Sequence, residues 1–301
     1  KNMSTKNSSV RWLYLVLGTA SLLFGGIVYA WSILKAPLAA EFGWSDSSLS
    51  LNFTLTMCFF CIGGMAGGAL LKKIGFKLSC IISAVLSAAG FILAGGMSGG
   101  IAMLYISYGL LAGLGIGIAY NCIISTVSAW FADKKGLCSG VLMMGFGASA
   151  LILGSLADAL ISNESFGWRM VFYMLGAALG VMFLITAVIL RAPKPGEAPA
   201  PKPAAGASSA RDYTTGEMLR SITFWKAFIL VVFLAAVGNT VISMARDLAL
   251  SVGAVESLAT LLVGVLSVCN GLGRVITGAV FDRFGRKTTM IGANIVAIFA
   301  A

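Results

Sequence analysis

The chain of 301 residues contains no histidine, and only 11% of its residues are charged. Without imidazole it lacks the commonest metal-ligating side chain and the one whose ordinary charge change falls nearest neutrality. A histidine proton relay and a histidine-based metal centre are excluded, and no metal and no cofactor are expected. No glycine-rich Walker-type phosphate loop is present, which argues against ATP as a driving force or partner. Nothing in the chain suggests an enzyme. Proline is scarce outside one stretch: five of the six prolines lie within 191–223. The six cysteines all fall in or beside apolar runs and say little about redox compartment. Cys58 and Cys61 have the spacing of a redox or metal pair, but they sit in an apolar segment where small-residue packing is the better reading.

What the chain has instead is hydrocarbon. Apolar residues make up 58% of it and the mean hydropathy is +0.95, whereas soluble domains carry about 25% charge. Long uncharged stretches run over 12–34, 47–71, 78–132, 136–157, 170–190, 227–245 and 257–273. A crossing needs about 20 residues, so 78–132 is two spans, divided at the glycine-rich segment 95–100. The pattern predicts an all-α polytopic membrane protein with eight complete spans and the beginning of a ninth at 288–301, where truncation is the expectation. Membrane lipid is its surrounding solvent.

Charge placement tests this count. With the N-terminus in the cytoplasm, 17 of the 21 Lys and Arg fall in inner segments, while Asp and Glu divide almost evenly, as expected when basic residues carry the orientation signal. The net charge of +10 therefore reads as topology, and no nucleic-acid partner is expected. A cell-membrane protein, in the plasma or inner membrane, follows. The organisation expected is a six-helix bundle at 1–190, a cytoplasmic linker at 191–223 too poor in apolar residues to form a core, and a partial second bundle at 224–301. Thr214 to Glu217 offers a capping box for a short helix near 218–222, with a plain linker end as the alternative.

Two features carry function. The first is Arg274, alone in an apolar span. Counting back eight residues from Asp282 at the span's inner end gives about 12 Å, against roughly 15 Å for half a hydrocarbon core. A charge near the midplane costs about 2.5 to 3.5 kcal/mol on insertion scales, so it should face a cavity or a partner. Asn270 shares its face, and the acids Asp158, Asp247 and Glu256 lie near outer ends. Arg274 is either a carboxylate-binding fork or a strut bonding neighbouring helices. The second feature is the turn that holds Gly278, Asp282, Arg283, Gly285, Arg286 and Lys287. A weaker copy stands 210 positions earlier, with Gly68 and Gly75 at the glycine positions and Lys72 in place of the acid. That spacing suggests an internal repeat.

Six spans, a linker and a repeated turn resemble the major facilitator superfamily, whose loop signature is glycine, three residues, acid, base, any residue, glycine and two bases. The turn at 278–287 matches it fully; the turn at 68–77 departs at Lys72 and Phe76. Closer likeness is to the oxalate/formate antiporter group, carried by Gly26 to Ser32, Phe42 to Ser45, Gly113 to Asn121, Trp130 to Gly136 and Asn270 to Arg274. The resemblance implies twelve spans in two bundles, with a small carboxylate held between them and the two turns acting as gates. It implies that Arg274 helps bind the anion, with a lysine in span eleven as its partner, and that Tyr29 and Tyr120 line the pocket. For either tyrosine, ordinary helix packing is an equal alternative.

Overlapping small-xxx-small steps at Gly63, Gly64, Gly67 and Gly68, and at Gly109, Gly113 and Gly117, allow close helix approach. The segment 140–147 lacks the proline that many antiporters carry there, and no inference about exchange follows from it. The reading is a secondary transporter of small organic anions, exchanging oxalate- or formate-like carboxylates by alternating access. The alternatives are a proton-coupled monocarboxylate symporter and a non-transporting membrane sensor or scaffold.

Overall fold

The computed structural model describes residues 4–163, 166–199 and 213–300. Among them there is no strand, and seven helices are long and apolar enough to cross a membrane. Six precede the linker: α1 (Ser9–Phe42), α2 (Asp46–Lys73), α3 (Gly75–Gly95), α4 (Ile101–Trp130), α5 (Lys135–Ile161) and α6 (Gly167–Ile189). A short helix, α7 (Thr215–Arg220), leads into α8 (Ile222–Ser251) and α9 (Glu256–Ala300). The expected span 227–245 lies within α8. Residues 200–212 of the expected linker lie outside the described residues.

Local chemistry sets the helix ends. Ser45 caps α2 by accepting from the Ser48 amide at 3.3 Å, with Asp46 in the first turn and Lys72 and Lys73 in the last, which matches side-chain charge to the helix dipole at both ends. The capping box at Thr214 is formed in both directions. It starts α7 at Thr215, three residues ahead of the expected helix, because a cap fixes the first turn directly after itself.

The six helices before the linker share one buried cluster that runs from Tyr14 to Leu190. α2 packs along α4, α3 along α6 and α5 along α9. At the first contact a Cβ built on Gly63 would meet the Leu114 carbonyl oxygen at 2.4 Å, and one on Gly117 would meet that of Phe60 at 2.1 Å. Backbones this close admit no side chain. Many buried hydroxyls bond inside helices, as Thr56 does to the Asn52 carbonyl at 2.8 Å, or across them, as Ser21 and Thr186 do at 2.6 Å. In lipid no water is available to do this instead. Exposed Val16, Met65, Val85 and Val188 are the outer face of a bundle whose solvent is hydrocarbon.

Candidate functional site

Arg274 sits on α9, partly buried, against α5. Its Nε donates to Asn270 Oδ1 at 3.4 Å, one turn back on the same helix, and Nη1 donates to the Met143 carbonyl of α5 at 3.3 Å. Both acceptors are neutral. They satisfy some of the guanidinium's five donors but carry no charge to set against its own. Among the described residues Arg274 takes part in no salt bridge; the side chains of Asp247 and Glu256 lie outside them.

Around Arg274 opens a cleft of about 490 Å³ between α5 and α9. Its polar lining comprises Arg274, Asn270, Ser139 and Thr277, with Met143 and Phe281 as the larger apolar walls. The cleft's narrow side is made by glycine. A Cβ on Gly278 would fall 2.2 Å from the Gly136 carbonyl oxygen, and one on Gly140 would fall 2.7 Å from that of Arg274. Ser139, Met143 and Thr277 were not among the expected site residues. Stepping from Arg274 by three or four residues would have found Thr277, but no sequence signal aligns α5 against α9.

Tyr29 and Tyr120 do not line the cleft. Tyr29 stands in a tightened 3₁₀ turn of α1, Gly26–Ala30, and its ring meets Phe146 edge-on at 5.2 Å; Tyr120 meets the same phenylalanine at 5.0 Å and Phe60 at 5.2 Å. The four rings form one cluster spanning α1, α2, α4 and α5. Tyr120 lies within electrostatic reach of both Arg274 and Tyr29. The cluster thus borders the arginine while its members pack on one another.

The turn at 278–287 contains the second site. Asp282 accepts from two backbone amides at the start of α5: Gly136 N to Oδ1 at 2.9 Å and Leu137 N to Oδ2 at 2.8 Å. The residue at the cap position of α5, Lys134, contributes no side-chain acceptor, so these amides would otherwise lack a partner. A carboxylate on a helix N-terminus gains from both the hydrogen bonds and the dipole. Three residues on, Gly285 adopts φ 77°, ψ 178° and breaks the helix; Gly75 in the earlier copy has φ 78°. Arg283 lies over the ring of Phe284, 5.2 Å from its centroid. Lys287 is exposed, and the side chain of Arg286 lies outside the described residues. Gly68 is loosely packed, its Cβ position 3.8 Å from Asn121 Oδ1.

An all-α chain with many membrane-length helices, and a cleft built around a charged side chain within them, has the architecture of a multi-pass transporter. Residues 13–301 match the sequence profile of the Major Facilitator Superfamily. The oxalate:formate antiporter of Oxalobacter formigenes is 31% identical over 96% of this chain and 69% of its own length. An uncharacterized MFS-type transporter, YhjX of Escherichia coli K12, is 28% identical over 96% of this chain and 70% of its own length. The solved structure of the proton:xylose symporter XylE superposes with a TM-score of 0.69 at 18% identity, covering 94% of this chain and 71% of that one. The chain belongs to the Major Facilitator Superfamily. These relatives are transporters, not enzymes.

Proposed function

We propose that this transporter carries small organic anions of the oxalate, formate or monocarboxylate kind, exchanging them by alternating access, in a plasma or inner membrane with its N-terminus in the cytoplasm. The observation that carries the reading is the Arg274 guanidinium, which lies in a cleft and, among the described residues, is bonded only to neutral acceptors. A substrate carboxylate supplies the missing charge and fits the planar fork. The strut reading is partly realised by the Met143 bond, but a strut needs no charge and no cleft. Tyr29 and Tyr120 would then support the site from the aromatic cluster behind Arg274, without lining the cleft themselves. The 31% identity with an oxalate:formate antiporter supports this class of substrate.

Asp282 acts in this scheme as an inner latch. Its two bonds join α9 to the first turn of α5 and close the inner side, and transport requires them to break and re-form. Exchange is favoured over proton symport because the chain has no histidine and places its acids near span ends or in loops, leaving no evident proton carrier within the membrane.

The test is equilibrium binding of oxalate, formate and lactate to Arg274→Gln. Loss of a charge-assisted pair worth about 1.5 to 3 kcal/mol lowers affinity by about 10- to 150-fold. Arg274→Lys recovers only part of it, since a point charge replaces a two-pronged donor. Unchanged affinity for every anion bound by the unsubstituted protein would leave Arg274 as a strut.

A further inference from the structure

Two carboxylates stand beside the N-terminus of α5. Asp282 holds the Gly136 and Leu137 amides. Asp133, in the turn that leads into the helix, is held by Arg11 of α1, whose Nη1 lies 3.1 and 3.3 Å from its two oxygens. Cys138, in the first turn of α5, is within electrostatic reach of both acids.

Asp133 stands one residue ahead of the cap position, Lys134, and is an acid next to the start of α5 in the chain. An aspartate just ahead of a helix accepts the N–H two or three residues on, as an Asx turn or an N-cap; here those are Lys135 and Gly136. Gly136 is the amide that Asp282 uses. Asp133 is instead paired with Arg11. The pair is mostly buried, its side chains 17% and 15% exposed, and the guanidinium is also fixed over the Phe131 ring, 5.1 Å from its centroid.

We propose that Arg11 is a positioning residue that keeps the α5 amides open to Asp282 by sequestering Asp133, so that the two carboxylates compete for one helix N-terminus and Arg11 sets the balance. The proposal rests on the reading of Asp282 as an inner latch. In the membrane-embedded protein, loss of Arg11 lets Asp133 cap α5 from within its own bundle and displaces the acid that joins α5 to α9.

Thr277, exposed in the cleft, serves as reporter. In a Thr277→Cys background, labelling by an impermeant maleimide is followed in inside-out vesicles and resolved by peptide mass spectrometry, because Cys269 lines the same cleft. Asp282→Ala is expected to raise the labelling rate by about fivefold, the worth of one helix cap, and Arg11→Gln to raise it comparably. Asp133→Ala alone leaves the rate unchanged, and Arg11→Gln with Asp133→Ala restores it, because the competitor has gone. A double variant as fast as Arg11→Gln would make Arg11 a mere pin and overturn the competition, as would an Arg11→Gln rate equal to the parent. A flat response to Asp282→Ala overturns the latch itself, whereas a rise there with no response at Arg11 removes only the competition. Should Arg11→Gln fail to reach the membrane, Arg11→Lys, which keeps charge but not the fork, is expected to give an intermediate rate that Asp133→Ala reverses. A parental rate, or one that Asp133→Ala does not reverse, overturns the proposal.

Discussion

The turns at 68–77 and 278–287 share a backbone but differ in electrostatics. Each breaks its helix at a left-handed glycine, Gly75 at φ 78° and Gly285 at φ 77°, a conformation that side chains with a Cβ adopt at a cost. At the aligned acid position they part. Lys72 lies in the last turn of α2, where a cation suits the negative end of the helix dipole. Asp282 occupies the equivalent place before its own break, where an anion does not. The unfavourable placement is offset from outside, by the amides of α5. The bend is therefore a property of the repeat, and the latch is a property of one copy.

The sharpest way to break the comparison is at its aligned first glycines. Gly278→Ala drives a methyl to 2.2 Å from the Gly136 carbonyl oxygen, whereas at Gly68 the nearest atom is 3.8 Å away. Overpacking of this kind costs about 1 to 3 kcal/mol, so Gly278→Ala should lower the thermal midpoint of the detergent-solubilised chain while Gly68→Ala leaves it within error. Equal shifts would mean that the α5–α9 contact relaxes freely.

Asp282→Asn tests the electrostatic half at a smaller scale. A neutral amide can still accept one bond but loses the charge–dipole attraction, about 0.3 to 1 kcal/mol. Transport turnover should slow because the inner side no longer closes properly, while substrate affinity changes by less than about twofold, a free-energy change of less than about 0.4 kcal/mol. Lys72→Asn should alter neither quantity. Wild-type turnover in Asp282→Asn would reduce the acid to a marker of topology.

The smallest effect is expected where the first bundle passes into the linker. Arg191, whose carbonyl accepts from the Trp130 indole at 2.7 Å, also holds Glu197 through bonds of 2.7 and 3.0 Å. That side-chain bond first, then the Lys194 amide, lowers the Glu197 carboxyl to about 2. Because the folded value lies below an unfolded glutamate's about 4.3, the pair is fully favourable above that value and is lost as pH falls through about 2. A carbon-13 titration of the Glu197 carboxyl would report this, and a midpoint at the ordinary glutamate value would show the linker start detached in solution.

The spans, the repeated turn and the isolated intramembrane arginine were legible because each is written in local composition. A run of apolar residues has only one comfortable solvent, a glycine before a basic pair marks a helix break, and a charge without a neighbour on its own helix is visible at once. The capping box of α7 was legible for the same reason, since both partners lie within four residues. The partner of Asp282 was not. The resemblance implied a gate, and for Asp282 the structure supplies backbone amides, which every non-proline residue possesses and which no sequence pattern distinguishes. The cleft's second wall was hidden likewise, since Ser139 and Met143 read as ordinary members of an apolar helix until packing sets them opposite Arg274. Sequence by itself determined which segments must be helices in lipid and where a charge could not rest unaccompanied. Only the tertiary structure decided which helix end meets Asp282 and which surfaces enclose Arg274, because those depend on contacts between α5 and α9 such as the Met143–Arg274 bond, whose partners are 131 residues apart in the chain.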